Sequence, residues 1–148
     1  MNKIEHFWSA FCESNQLQAA TYQDAFQFGV EADWLADLVV QGKKTATTSG
    51  FVFYELENEK LPEAGEYYIV LNAKDEPVAV IQVESVEVLP MNKVSETFAL
   101  AEGEGDYQYW WKEHEAFFTN ALQAYGKTFS PDMRVVCETF RKMFPTEE

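Results

Sequence analysis

The sequence predicts an α+β fold in which a mostly antiparallel sheet is flanked by helices. Three observations carry this expectation. Tyr67 to Leu71 and Val78 to Val88 are β-prone runs joined by Asn72-Ala73-Lys74-Asp75-Glu76-Pro77, a hairpin connection longer than two residues. Tyr107, Trp110, Trp111, His114, Phe117, Phe118, Ala121, Leu122 and Tyr125 recur with the spacing of one long helix. Ile4, Phe7, Trp8 and Phe11 form a separate helical stripe at the amino terminus, extended by Cys12.

In chain order, the first helix stops near Asn15, where polar residues replace the stripe. Gln18 to Gly29 holds Tyr22, Phe26 and Phe28 without a clean period and reads as a connector or short strand. A second helix covers about Glu31 to Gln41, with Ala32, Leu35, Leu38 and Val39 inward, and Gly42 supplies the left-handed residue that ends it. A strand follows from Lys44 to about Tyr54, placing Thr47, Ser49, Phe51 and Phe53 on one side. Leu61-Pro62-Glu63-Ala64-Gly65 is a turn, and Pro77 is tolerated only at a strand start or an edge. A short helix is expected within Val94 to Ala101, then an exposed or functional loop, Glu102-Gly103-Glu104-Gly105-Asp106. Asp106 caps the long aromatic helix, which ends at Gly126, and a last strand runs from about Arg134 to Met143.

A chain of 148 residues and 17.0 kDa fits a single domain, and its 47% hydrophobic content supplies one sizeable core. Eleven Lys and Arg against twenty-five Asp and Glu give a net charge of −14, which argues against non-specific nucleic-acid binding, because duplex affinity depends on cations displacing counterions. No DNA partner is expected, and any RNA contact must be local. Neither a signal peptide nor a membrane-spanning run is expected, and Cys12 and Cys137 read as free thiols, so the expected compartment is the cytoplasm.

Gly42-Lys43-Lys44-Thr45-Ala46-Thr47-Thr48-Ser49 concentrates two cations and four hydroxyls at one turn. It is not a phosphate-binding P-loop: Asp37 stands where the first glycine should be, and a helix ends here where a P-loop begins one. The Glu102 to Glu113 stretch fails as a calcium loop, since Tyr107 occupies the place of the obligatory glycine. No metal and no cofactor is expected, and no histidine triad can be assembled. Two readings of the lysines stand side by side: solvated cations favoured by a helix C-terminus, or a lysine that serves as a base to a neighbouring hydroxyl. Strict strand alternation puts Lys44 and Thr47 on opposite faces, so their cooperation requires a twist or bulge.

Gly42-x-Lys44-x-x-Thr47, the Glu102 to Asp106 loop leading to Tyr109-Trp110, and Phe129-Ser130-Pro131-Asp132-Met133 before Val135-Val136-Cys137-Glu138 occur in an order that resembles the ASCH domain, a family of small barrels related to the PUA RNA-binding fold. The resemblance covers about residues 26–144 and leaves residues 1–17 as a helical extension. It implies a PUA-like, partly open and mostly antiparallel β-barrel flanked by helices, with Lys44 as the signature lysine of a cleft. Much of the family has Glu in place of Thr47 and Arg near Ser49, so the chain resembles the branch with Thr in the signature. For that branch the implied activity is amide hydrolysis of acylated cytidine nucleosides by Lys44 as base, Thr47 as attacking hydroxyl and Glu104 as acid or orienting group. Tyr54 and Trp110 are implied stacking platforms, although the helical spacing of Trp110 also reads as core. Other ASCH-like proteins imply a different class, a module that binds or cuts short RNA, with phosphate contacts from Lys43, Lys44, Lys127, Ser130 and Arg134. The net charge ranks a nucleoside-sized ligand above a long RNA.

Overall fold

The computed structural model describes residues 2–18, 20–29 and 31–145. Its elements are α1 (Lys3–Ser14), β1 (Asp24–Gln27), α2 (Ala32–Val40), β2 (Ala46–Gly50), α3 (Phe51–Leu56), β3 (Tyr67–Leu71), β4 (Pro77–Pro90), α4 (Glu96–Ala101), α5 (Tyr107–Gln123) and β5 (Arg134–Phe144), with a 3-10 turn at Met91–Lys93. The strands form one five-stranded sheet in the order β1-β3-β4-β5-β2. β1 runs parallel to β3, and the other pairs are antiparallel. Register shifts between β4 and β5, at Val80/Ile81 and at Val83/Ser85, add local twist to the longest strand. The sheet is a half-barrel whose two outer strands, β1 and β2, pair with no further strand among the described residues.

Three apolar clusters hold the helices against this sheet. Leu35, Ala36, Leu38 and Val39 of α2 pack with Phe28, Val70, Ile81 and Phe140. Trp110, Phe118 and Leu122 of α5 pack with Met91, Ala99 and Val135. On α1, Phe11 is fully buried against Ile69, Leu71 and Val80, so the added helix seals a sheet surface that would otherwise face water. Caps fix the helix starts: Asn2, Ser95 and Asp106 each accept a backbone N–H of the first turn through a side-chain oxygen. Pro77 opens β4, the position at which its missing N–H breaks no internal ladder.

One element departs from expectation. The strand expected from Lys44 to Tyr54 begins at Ala46 and ends at Gly50, and Phe51–Leu56 is helical. Chain reversal at Gly50 brings the Phe53 ring to where a Cβ on Gly50 would lie, 2.7 Å from two ring carbons. The same ring meets Phe118 and Tyr125 of the α5 region at centroid distances of 6.3 and 6.0 Å. Burial of these aromatics overrides the β preference of the Phe-Val-Phe-Tyr run. Cys12, half-buried, and Cys137, buried, are both free thiols. Among the described residues no helix is long and apolar enough to cross a membrane.

Candidate functional site

Lys44 reaches the interior because α2 ends in a Schellman turn. The Gly42 N–H donates to the Val39 carbonyl at 3.0 Å and the Lys43 N–H to the Leu38 carbonyl at 2.9 Å, with Gly42 at φ 77°. That turn directs the next residues across the end of α4, where the Thr45 N–H donates to the Ala101 carbonyl at 2.8 Å. The loop after α4 then lies directly on the lysine backbone. A Cβ at Gly103, whose φ is +77°, would stand 2.4 Å from the Lys43 carbonyl oxygen. Glycine is therefore required there on two counts, and its contact places Glu102 and Glu104 on either side of the Lys44 ammonium.

Lys44 is 2% exposed. Its Nζ donates to Glu102 Oε1 at 3.0 Å and to Glu104 Oε2 at 2.8 Å, and lies 5.2 Å from the centroid of the Phe28 ring. Glu102, also 2% exposed, accepts at Oε2 from the Thr48 hydroxyl and the Trp110 indole N–H, both at 2.6 Å. His114 Nε2 stands 3.5 Å from the same oxygen. His114 Nδ1 lies 2.7 Å from the Trp110 carbonyl, which only accepts, so Nδ1 carries a proton. Burial opposes ionisation of Glu102, but Lys44, His114, Thr48 and Trp110 together outweigh it and hold the carboxyl below the usual carboxylate range. Cys137 lies behind this network. Burial, with Glu102 adding to it, pushes its thiol up to about 12, so it does not serve as a nucleophile.

A cleft of about 890 Å³ opens at the seam of the half-barrel, between Asp24, Phe26 and Gln27 of β1 and Thr47 to Gly50 of β2. This is the size of a small-ligand site. Phe28, Phe53, Tyr54, Tyr68 and Phe117 give it aromatic walls, and Thr47, Ser49 and Glu138 give it polar groups. Ser49 Oγ and the Tyr54 hydroxyl are 2.9 Å apart. Burial raises the Tyr54 pKa, which keeps that phenol protonated.

The structure sorts the sequence-derived residues. Lys44 and Glu104 are in direct contact. Thr47 lines the cleft, opposite Glu138 in the β2–β5 register, and its hydroxyl makes no hydrogen bond to a described residue; Thr48 is the hydroxyl that joins the lysine network. Tyr54 lines the cleft from α3 instead of from a strand. Trp110 corrects its stacking assignment: it is 3% exposed, with its indole N–H committed to Glu102, and presents no open face to a base. Lys43, Lys127, Ser130 and Arg134 are exposed and none lines the cleft. The Ser130 hydroxyl donates to Asp132. Arg134 lies beside Pro90, five residues along β5 from Thr139, the partner of Ala46; at roughly 3.4 Å per residue that is about 17 Å from the Lys44 end of β2.

Glu102, Thr48, His114 and Glu138 are site residues that the sequence reading does not single out. The alternation that separates Lys44 from Thr47 puts Lys44 and Thr48, four apart, on a shared face, so Thr48 was legible. Glu102 belongs to the acidic loop but is buried where an exposed position was one of two expectations. Among the described residues no three His, Cys, Asp or Glu side chains are disposed to hold a metal ion.

Comparison with known proteins agrees with this architecture. The family model described as ASCH domain matches residues 24–143. The crystal structure of protein EF3133 from Enterococcus faecalis V583 is similar with a TM-score of 0.85 and 40% identity, over 96% of this chain and 90% of that one. A high-resolution crystal structure of an ASCH domain from Lactobacillus crispatus JV V101 is similar with a TM-score of 0.89 and 30% identity, over 95% of this chain and 94% of the other. No curated protein matches the chain. With a PUA-like half-barrel and a family match over residues 24–143, the chain belongs to the ASCH domain family.

Proposed function

We propose that the protein hydrolyses the amide of an acylated nucleoside, or of a planar heterocycle of similar size, bound in the β1–β2 cleft, and that it belongs to the ASCH branch with Thr in the lysine signature. The observation that carries this reading is the unbonded Thr47 hydroxyl in an aromatic-walled cleft of about 890 Å³, next to the strand residue that ties down the Lys44 network. Aromatic walls suit a flat base, because stacking is worth roughly 1–3 kcal/mol per base.

In this reading Glu104 is the mobile proton partner of Lys44. Its side chain is 17% exposed, whereas Glu102 is anchored by four neighbours. Neither Lys44 nor Glu104 lines the cleft, so ligand binding must draw Lys44 toward Thr47. Lys44 then passes one proton to Glu104, and its free amine takes the Thr47 proton as Oγ attacks the amide carbonyl. Collapse of the tetrahedral intermediate breaks the C–N bond, and Lys44 returns that proton to the departing nitrogen. Water, deprotonated by Lys44, then adds to the Thr47 ester; as the ester C–O bond breaks, Lys44 hands that proton to Thr47 Oγ, which releases the acid, restores the hydroxyl and leaves Lys44 a free amine. Glu104 gives back its proton when product leaves. Two free thiols, Cys12 and Cys137, support a reducing cytoplasm as the place of reaction.

A long RNA is disfavoured by the net charge of −14 and by the exposed cations Lys43, Lys127 and Arg134, which do not line the cleft. The test is release of free amine from a panel of N-acylated cytidines and related nucleosides. Wild type is expected to turn over at least one, and Thr47→Val to lower its rate by roughly a hundredfold or more. Because the Thr47 hydroxyl bonds to no described residue, this variant should keep its fold, which circular dichroism checks. Absence of turnover by wild type across the panel sinks the reading; salt-sensitive binding of short RNA instead would favour a binding module.

A further inference from the structure

Glu138 faces the cleft from β5 with no role in the Lys44 chemistry. It stands opposite Thr47 in the β2–β5 register and lines the same cavity as Tyr54 and Tyr68. No described residue donates a hydrogen bond to it, yet among the described residues no buried side-chain oxygen lacks a partner. Its carboxyl oxygens are therefore open to the cleft and not sealed beneath it. A carboxyl set half-buried among phenol rings, with its hydrogen-bonding capacity unspent, is poised for a ligand.

The charged surroundings decide which form of that carboxyl meets the ligand. From the turn before β3, Glu66 faces it, with its own oxygens engaged by Lys60, the Glu63 N–H and the Tyr68 hydroxyl. From α3 and β3 come the two phenols, and β2 presents the hydroxyls of Thr47 and Ser49, the latter paired with the Tyr54 hydroxyl. On the rim Glu57, Glu59 and Asp24 add further negative charge, while Lys60 is bound to Glu66. On β5 itself Cys137 points away, toward Thr48 and Glu102. Among the described residues no cation forms an ion pair with Glu138. Burial first, and then Glu66, raises its pKa to about 7.

We propose that Glu138 is the specificity-determining residue of the cleft and reads the edge of a bound aminopyrimidine as a neutral carboxylic acid. Its O–H donates to the ring nitrogen and its C=O accepts from the exocyclic N–H. This deepens the nucleoside reading above and rests on it. The flanking rings of Tyr54 and Tyr68 hold a flat ligand so that its hydrogen-bonding edge, and not its face, meets the carboxyl. An ionised carboxylate only accepts, so it would repel the lone pair of the ring nitrogen; the recognition is built to weaken as the carboxyl loses its proton.

Calorimetric titration of cytosine and cytidine into wild type, Glu138→Gln and Glu138→Ala at pH 6 and pH 8.5 tests this. Wild type should bind both ligands and lose about tenfold or more in affinity at the higher pH. Glu138→Gln, whose amide also offers one donor and one acceptor in a plane, should bind like wild type at pH 6 and be insensitive to pH. Glu138→Ala should lose roughly tenfold or more at pH 6, as the loss of a bidentate base contact implies. Equal affinity of wild type at both pH values, or of Glu138→Ala and wild type, overturns the proposal while leaving the nucleoside site standing. Failure of wild type to bind either ligand overturns both together.

Discussion

Lys44 and Glu102 are each 2% exposed, so the worth of their contact is set by what happens when one is left behind. A buried ion pair gains little over an apolar pair of equal volume, but deletion of one member strands the other charge out of water. Lys44→Ala is therefore expected to destabilise the fold by about 3–5 kcal/mol, measured by urea unfolding. The double variant Lys44→Met with Glu102→Gln should recover part of that loss, since it removes both charges and keeps the volume. Rate losses of Lys44 variants need to be read beside this stability cost, and Thr47 is the cleaner probe of chemistry for that reason. The lysine was legible because two cations in a chain of net charge −14 stand out, and because Gly42 fixes the turn before them. Its burial was not, since nothing local in the sequence says that Gly103 admits the acidic loop to within contact of the Lys43 carbonyl.

Gly42 and Gly103 illustrate the same limit for whole elements. Both have φ +77°, but a Cβ at Gly42 would meet nothing within 4 Å, whereas one at Gly103 would collide with backbone. Gly42→Ala should cost only the left-handed strain, about 1 kcal/mol. Gly103→Ala must also push the loop off Lys43, and should cost roughly twice that or more, with Glu104 drawn away from Lys44. Thermal melts of the two variants check the order, and an equal cost would mean that the loop yields freely. Helix boundaries were read closely from the sequence because caps and glycines are local signals: Asp106 caps α5, and Gly126 follows its end. The β2 boundary was misread by several residues, because Gly50 turns the chain for the sake of Phe53 packing on Phe118, a residue distant in sequence.

Across the molecule, two carboxyls with opposite displacements shape the pH dependence of folding. Glu102, held below the usual range, contributes stability above its unfolded pKa that is lost as pH falls through the folded value. Glu138, raised to about 7, behaves inversely: between about pH 4.5 and 7 the folded state keeps its proton while the unfolded chain releases it, so stability declines as pH rises through that window and is flat beyond it. That decline is on the order of 3 kcal/mol for wild type, from the size of the displacement. Self-repulsion in a chain of net charge −14 tilts the curve the same way as further carboxyls ionise. The stability maximum is therefore expected near pH 5, below neutrality. Urea midpoints measured from pH 4 to 8 should fall across the upper part of that range for wild type and fall less for Glu138→Gln, which removes the titration but keeps the shape. A wild-type curve that rises toward pH 7, or one that Glu138→Gln leaves unchanged, would mean that the carboxyl ionises in the folded cleft at its ordinary pH.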